Sequence, residues 1–215
     1  MKKLSTLISG LVLASSASFS QATVMVTESA EGVLFSEQAG VTTIDFESGC
    51  GYVSCTGDFE IRHNLDGSVQ QSAAPYGATP IGGHWLTVPN PIKNGTAYFE
   101  LDASYDYFGM FWGSIDSYNT LSFYLDGNLV ESFKGSDLSP LLANGNQSAW
   151  TSNRYLNFFF TDGSQYDEVV LASTSYAFET DNHAFGTVSV SEPASLALLG
   201  LGLAGLGFTR RKLSK

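Results

Sequence analysis

The sequence predicts an all-β protein, an antiparallel β-sandwich with the jelly roll as the variant in view. An N-terminal signal peptide and a single C-terminal hydrophobic helix bracket it. Three observations carry this reading. Helix periodicity is almost absent between Thr23 and Val190. Short runs of β-branched and aromatic residues recur there, with Gly, Asn, Asp and Pro between them. About nine or ten such runs fill roughly 170 residues, the proportions of a single sandwich domain.

The first 22 residues are set aside. Lys2 and Lys3 make a basic start, Leu4 to Ala14 an apolar run, and Ser20-Gln21-Ala22 a small-x-small site. Residues 1–22 read as a signal peptide, cut by signal peptidase between Ala22 and Thr23. No Cys stands at that junction, which argues against a lipoprotein.

Within residues 23–190 the strands follow in order. Thr42 to Phe46 is one, with Ile44 and Phe46 on a shared face. Leu65 to Ile81 reads as a long irregular crossover. Thr96 to Leu101 and the aromatic run Tyr107 to Trp112 are the next strands. Thr120 to Leu125 and Asn128 to Phe133 flank Asp126-Gly127, a strong hairpin signal because a type I′ turn needs positive φ at both central positions. Leu138 to Ser152 is a polar loop. Tyr155 to Phe160 and Asp167 to Ser173 are expected to pair around Asp162-Gly163, and Phe185 to Val190 to be the last strand.

Charge narrows the partners. The chain has 10 Lys and Arg against 21 Asp and Glu. Between Thr23 and Pro193 only Arg62, Lys93, Lys134 and Arg154 oppose all 21 acids, a net charge of −17. Nucleic acid is thereby excluded, since phosphate binding needs clustered cations. The 15 Phe and 10 Tyr argue against disorder. Cys50 and Cys55, in an exported chain, are expected to form a local disulfide. A free thiol pair and half of a metal site are the alternatives.

The C-terminal segment, residues 191–215, is the most informative. Ser191-Glu192-Pro193 precedes an uncharged run from Leu196 to Phe208, and Arg210, Arg211 and Lys212 follow. As a helix, Ala194 to Thr209 would reach roughly 24 Å, short of a hydrocarbon core of about 30 Å. The cations would stay cytoplasmic. This pattern resembles the PEP-CTERM sorting signal recognised by exosortase in Gram-negative bacteria, with Ser191 standing where the usual Val-Pro-Glu-Pro has its first Pro. An ordinary short anchor is the alternative. The resemblance implies a transient stay in the inner membrane, then cleavage and display on the cell surface or in the extracellular matrix. Exopolysaccharide of a biofilm is the implied surrounding.

Three further segments extend it: Asp106 to Thr120 (with Trp112-Gly-Ser-Ile-Asp-Ser-Tyr118), Ser152-Asn-Arg-Tyr-Leu-Asn-Phe158 and Ala177-Phe-Glu-Thr-Asp-Asn-His183. They resemble a family of exosortase-dependent surface proteins with "YFG-WGSIDSYN", "NRYVNF" and "AFE-DN" signatures. Membership implies a β-rich exported protein and no established enzymatic activity.

Candidate sites follow from these segments. Asp116 is expected to pair with Arg154, joining two loops. Alternatively Trp112 or Tyr118 stacks on sugar rings, as in a carbohydrate-binding module. Calcium needs six to eight hard oxygens. Asp45, Glu47, Asp181 and Asn182 are the candidate ligands if the first and last strands pair, the alternative being solvated acids. Enzymatic readings fare worse. His63, His84 and His183 are dispersed, no Gly-x-Ser-x-Gly elbow is present, and 21 acids single out no carboxylate pair. The sequons at Asn94 and Asn146 are incidental in a bacterial chain.

Overall fold

A computed structural model describes residues 24–63, 71–78, 83–138 and 141–188. The expected signal cleavage at Ala22 and Thr23 and the sorting residues Ser191, Glu192 and Pro193 lie outside them. Twelve strands are present among the described residues: β1 (Val24–Glu28), β2 (Thr42–Ile44), β3 (Ser54–Gly57), β4 (Glu60–His63), β5 (His84–Val88), β6 (Gly95–Tyr105), β7 (Tyr107–Gly113), β8 (Asn119–Leu125), β9 (Asn128–Lys134), β10 (Arg154–Phe160), β11 (Tyr166–Ser173) and β12 (Phe178–Gly186). They form two antiparallel sheets. One has the order β1-β10-β7-β12-β5-β4, with β2 also on β12; the other has the order β3-β6-β11-β8-β9.

The sheets face each other across an aromatic core. Phe123 meets Phe108 edge to face at 5.4 Å and Tyr166 at 4.9 Å, while Phe158 lies 5.6 Å from Phe123. Each fully buried ring of this kind is worth about 1.5–3 kcal/mol by area. The larger sheet is covered on its outer side too. Leu34, Ala78 and Trp150 pack on Phe111 and Tyr155, and Val41 packs beside Tyr107 and Ala184. Loops therefore bury both faces of β7, β10 and β12, every residue of which is buried. Strands covered on both sides need no polar alternation. A Cβ on Gly109 would meet the Tyr155 hydroxyl at 2.6 Å, so the crowding reaches the backbone.

The hairpin predicted at Asp126-Gly127 is present, with φ of 50° and 74° at its two central residues. Two expectations are corrected. β10 and β11 do not pair with each other; β10 lies between β1 and β7, and β11 between β6 and β8. Both are apolar enough to need a central place, so the connection crosses the sandwich, and Phe160 stacks on Tyr166 at 5.1 Å across the core. Among the described residues the last strand is Phe178–Gly186, beginning before the expected Phe185. Its polar run Glu179 to His183 is buried throughout and internally hydrogen-bonded.

Candidate functional site

The chain leaving β7 turns through Ser114 to Tyr118 before entering β8. This turn is held by its neighbours. Ile115 N donates to Ser152 O at 2.8 Å, and Gly145 N donates to Ile115 O at 2.9 Å. Asn153, fully buried, is the main tie. Its Oδ1 accepts from Ser114 N at 2.7 Å and Tyr76 N at 3.4 Å. Its Nδ2 donates to the carbonyls of Asn146 (2.6 Å) and Ala149 (2.9 Å). One amide thus joins three loops, the four-bond capacity of the side chain being fully used.

Glu179 comes up beneath the same turn from β12. Its Oε2 accepts from the Ser114 hydroxyl at 2.6 Å and its Oε1 from Ala73 N at 3.0 Å. Those donors favour the carboxylate, but burial outweighs them and pushes the group up to about 8 from its ordinary 4.5. Asp116 is also raised, by burial, against a hydrogen bond from Tyr118. Tyr118 Oη stands 2.6 Å from both Asp116 Oδ2 and the Tyr176 carbonyl, so its single hydrogen serves one of them at a time. Burial first, and then Asp116, pushes its phenol up. The three segments singled out by resemblance, around Trp112–Asn119, Ser152–Phe158 and Ala177–His183, therefore meet at one end of the sandwich.

A cleft of about 640 Å³ opens there, lined by Lys93, Asp116, Tyr118, Asn144, Gln147 and Tyr176, with Glu179 at its buried end. Amides, hydroxyls and carboxyls in such a space suit a ligand rich in hydroxyl groups. Of these residues, sequence reasoning chose Asp116 and Tyr118. Glu179 stood out as the Glu of the "AFE-DN" segment and as an acid near the last strand, not as part of a cleft. Nothing local marked Lys93, Gln147 or Tyr176, which arrive from distant loops.

Several expectations change. Trp112 offers no stacking face: it is fully buried and lies flat on Phe178 at 4.2 Å, because its side chain points between the sheets. Tyr118 is partly exposed in the cleft, though its hydroxyl is engaged. Arg154 pairs with Glu31 at 3.4 Å and Glu28 at 3.8 Å, not with Asp116. Its guanidinium also donates to Ser29 O and Trp150 O, because β10 lies beside β1 and delivers it to that edge.

β2 does pair with β12, as the calcium expectation required. The four side chains nevertheless diverge. Glu47 gives one oxygen to His84 N and the other to His84 Nδ1, both at 2.8 Å. Asp45 Oδ1 accepts from Glu47 N. Asp181 and Asn182 are buried, Asn182 donating to Leu34 O beneath the loop that covers the sheet. Among the described residues, no group of three or more His, Cys, Asp or Glu is placed to hold a metal ion.

Cys50 and Cys55 form the expected disulfide. The loop it closes turns Tyr52 inward, 5.1 Å from Phe99 and 6.0 Å from Phe185.

Fold and cleft together define an antiparallel β-sandwich with a polar end pocket. Residues 189–212 match the PEP-CTERM protein-sorting motif, so the chain carries that sorting signal. The motif supports an exported protein sorted by exosortase. A search of the curated proteins finds no match. Among solved structures, CsCBM6-3 from Clostridium stercorarium, in complex with cellobiose, is 14% identical with a TM-score of 0.39, covering 68% of this chain and 94% of that one. The catalytic unit of a GH87 alpha-1,3-glucanase from Streptomyces thermodiastaticus is 15% identical with a TM-score of 0.38, covering 72% of this chain and only 28% of that one. CpGH89CBM32-6 of Clostridium perfringens is 11% identical with a TM-score of 0.30, covering 60% and 91%. Likenesses this distant carry no functional argument.

Proposed function

We propose that this chain is a non-enzymatic surface or extracellular-matrix protein of a Gram-negative bacterium. Signal peptidase removes residues 1–22. The apolar segment after Pro193 then holds the chain briefly in the inner membrane, and exosortase cuts near Glu192-Pro193. The sandwich is left among exopolysaccharide. The observation that carries this reading is the sorting motif at residues 189–212. The charge of −17 between Thr23 and Pro193 favours solubility in that setting.

The intact mass of the protein recovered from the cell surface tests it. The expected mass begins at Thr23, includes the disulfide and lacks Leu196 to Lys215. In cells without exosortase the tail should persist and the protein should fractionate with the inner membrane. A surface form that still contains Leu196 to Lys215 would overturn the sorting reading.

A second reading, a carbohydrate-binding module, is favoured by one observation: a polar cleft whose walls are pinned by Asn153 and by the main-chain bonds of Ile115 and Gly145.

A further inference from the structure

We infer that the cleft between the Ser114–Tyr118 turn, the loop through Gln147 and the segment at Tyr176 is a subsite for an uncharged sugar unit of a polysaccharide. This deepens the glycan-association reading and rests on it.

Size comes first. A volume of about 640 Å³ falls within the roughly 300–1,000 Å³ of small-ligand pockets. Shape comes next. The buried Asn153 amide and the Asp116–Asn144 bridge cross-tie two of the walls, the Ser114–Tyr118 turn and the loop through Gln147, and Asn119 Nδ2 donates to Ala177 O at 3.4 Å beside the third, so the cleft exists before any ligand arrives. A preformed site spares a weak ligand the cost of ordering loops.

The lining decides the chemistry. Gln147 and Lys93 are exposed at the mouth and present amide and ammonium groups; Tyr176 is half-buried and lines the cleft, its hydroxyl donating to Pro91 O at 3.2 Å. Asp116 engages Tyr118 through Oδ2. Vicinal hydroxyls both donate and accept, and this mixture of amide, ammonium and carboxylate matches them.

Charge selects among sugars. A uronate would face Asp116 and a body carrying −17, with Lys93 the one cation lining the cleft among the described residues. Glu179 keeps its proton at neutral pH, since burial holds it up to about 8, so it adds no charge to the pocket's buried end. Asp116 and Lys93 then offset each other. Of an uncharged hexose unit and a uronate, the uncharged unit is the one that meets no repulsion.

The test uses the full chain as cells deliver it. Its binding is titrated calorimetrically with α-1,4-, β-1,4- and β-1,3-linked glucose tetrasaccharides as uncharged probes and with tetragalacturonate as the acidic probe. The variants are the exposed pair Lys93→Ala/Gln147→Ala and, separately, Tyr176→Ala. The expected result is that at least one uncharged probe binds and that each variant weakens it by about tenfold or more at an unchanged melting temperature. Tetragalacturonate should bind more weakly than the uncharged probe. If an uncharged probe binds wild type and both folded variants equally, the subsite is overturned while glycan association stands. Tighter binding of tetragalacturonate overturns the uncharged class. No binding of any probe overturns both the subsite and the glycan reading, and leaves the sorting reading to its own mass measurement.

Discussion

Tyr52 Oη stands 2.6 Å from His183 Nδ1 in the middle of the sandwich. The neighbour on the other ring nitrogen settles which atom donates. Thr180 Oγ1 gives its one hydrogen to Phe111 O at 2.8 Å, so toward His183 it can only accept. Nε2–H of His183 therefore donates to Thr180, and Nδ1 accepts from the Tyr52 hydroxyl. The imidazole is neutral, with both nitrogens satisfied. Burial alone pushes it down to about 3.

Tyr52→Phe removes that donor and strands Nδ1 in an apolar surround. The expected loss is about 1–3 kcal/mol, the usual cost of an unsatisfied buried polar atom. Urea unfolding measures it, at an unchanged m-value.

The disulfide that shapes the Tyr52 loop closes a sequence separation of 5 residues. Chain-entropy reasoning gives so short a loop about 2 kcal/mol. Cys50→Ser/Cys55→Ser should lose about this much, plus part of the Tyr52 contribution because the loop is no longer held. A double variant as stable as wild type would contradict this.

Stability against pH should show a plateau. His183 in the fold refuses a proton that the unfolded chain takes below 6.5, so its contribution is lost as pH falls from 6.5 towards 3. Glu179 in the fold keeps a proton that the unfolded chain releases above 4.5, so its contribution is lost as pH rises from 4.5 towards 8. Between 4.5 and 6.5 the two slopes oppose, and the unfolding midpoint should be nearly flat. It should fall on either side. Glu179→Gln should flatten the alkaline limb up to about pH 8; an unaltered limb would contradict a protonated carboxyl there.

Arg154 should couple to the acids of the β1 edge and not to Asp116. Arg154→Met is expected to cost about 2–3 kcal/mol, since it leaves carbonyls and carboxylates without their cation. Glu31 is largely exposed and Glu31→Gln should cost under about 1 kcal/mol. In double-mutant cycles, Arg154 with Glu31 should show a coupling energy and Arg154 with Asp116 essentially none.

Asn153→Ala should be the most damaging single change near the cleft. It unties two donors and two acceptors at once, and a loss of about 3 kcal/mol or more is expected. Circular dichroism melts would register it.

Much of this architecture is legible in the amino-acid sequence. The Asp126-Gly127 hairpin, the Cys50–Cys55 bridge and the sorting motif each depend on a few adjacent residues: a turn needing positive φ, a loop short enough to close, a rigid dipeptide before an apolar run. Such signals act within the reach of one turn or one strand.

Tertiary structure decided the partners. It placed β10 and β11 in opposite sheets, turned Trp112 into the core, gave Arg154 to Glu31 rather than Asp116, and set Glu179 under the Ser114 turn. Each outcome depends on which strands lie side by side and which faces are covered, through contacts between residues far apart in sequence. A residue type announces the chemistry it can do. The partner it does it with is chosen by the order of strands in the sheets.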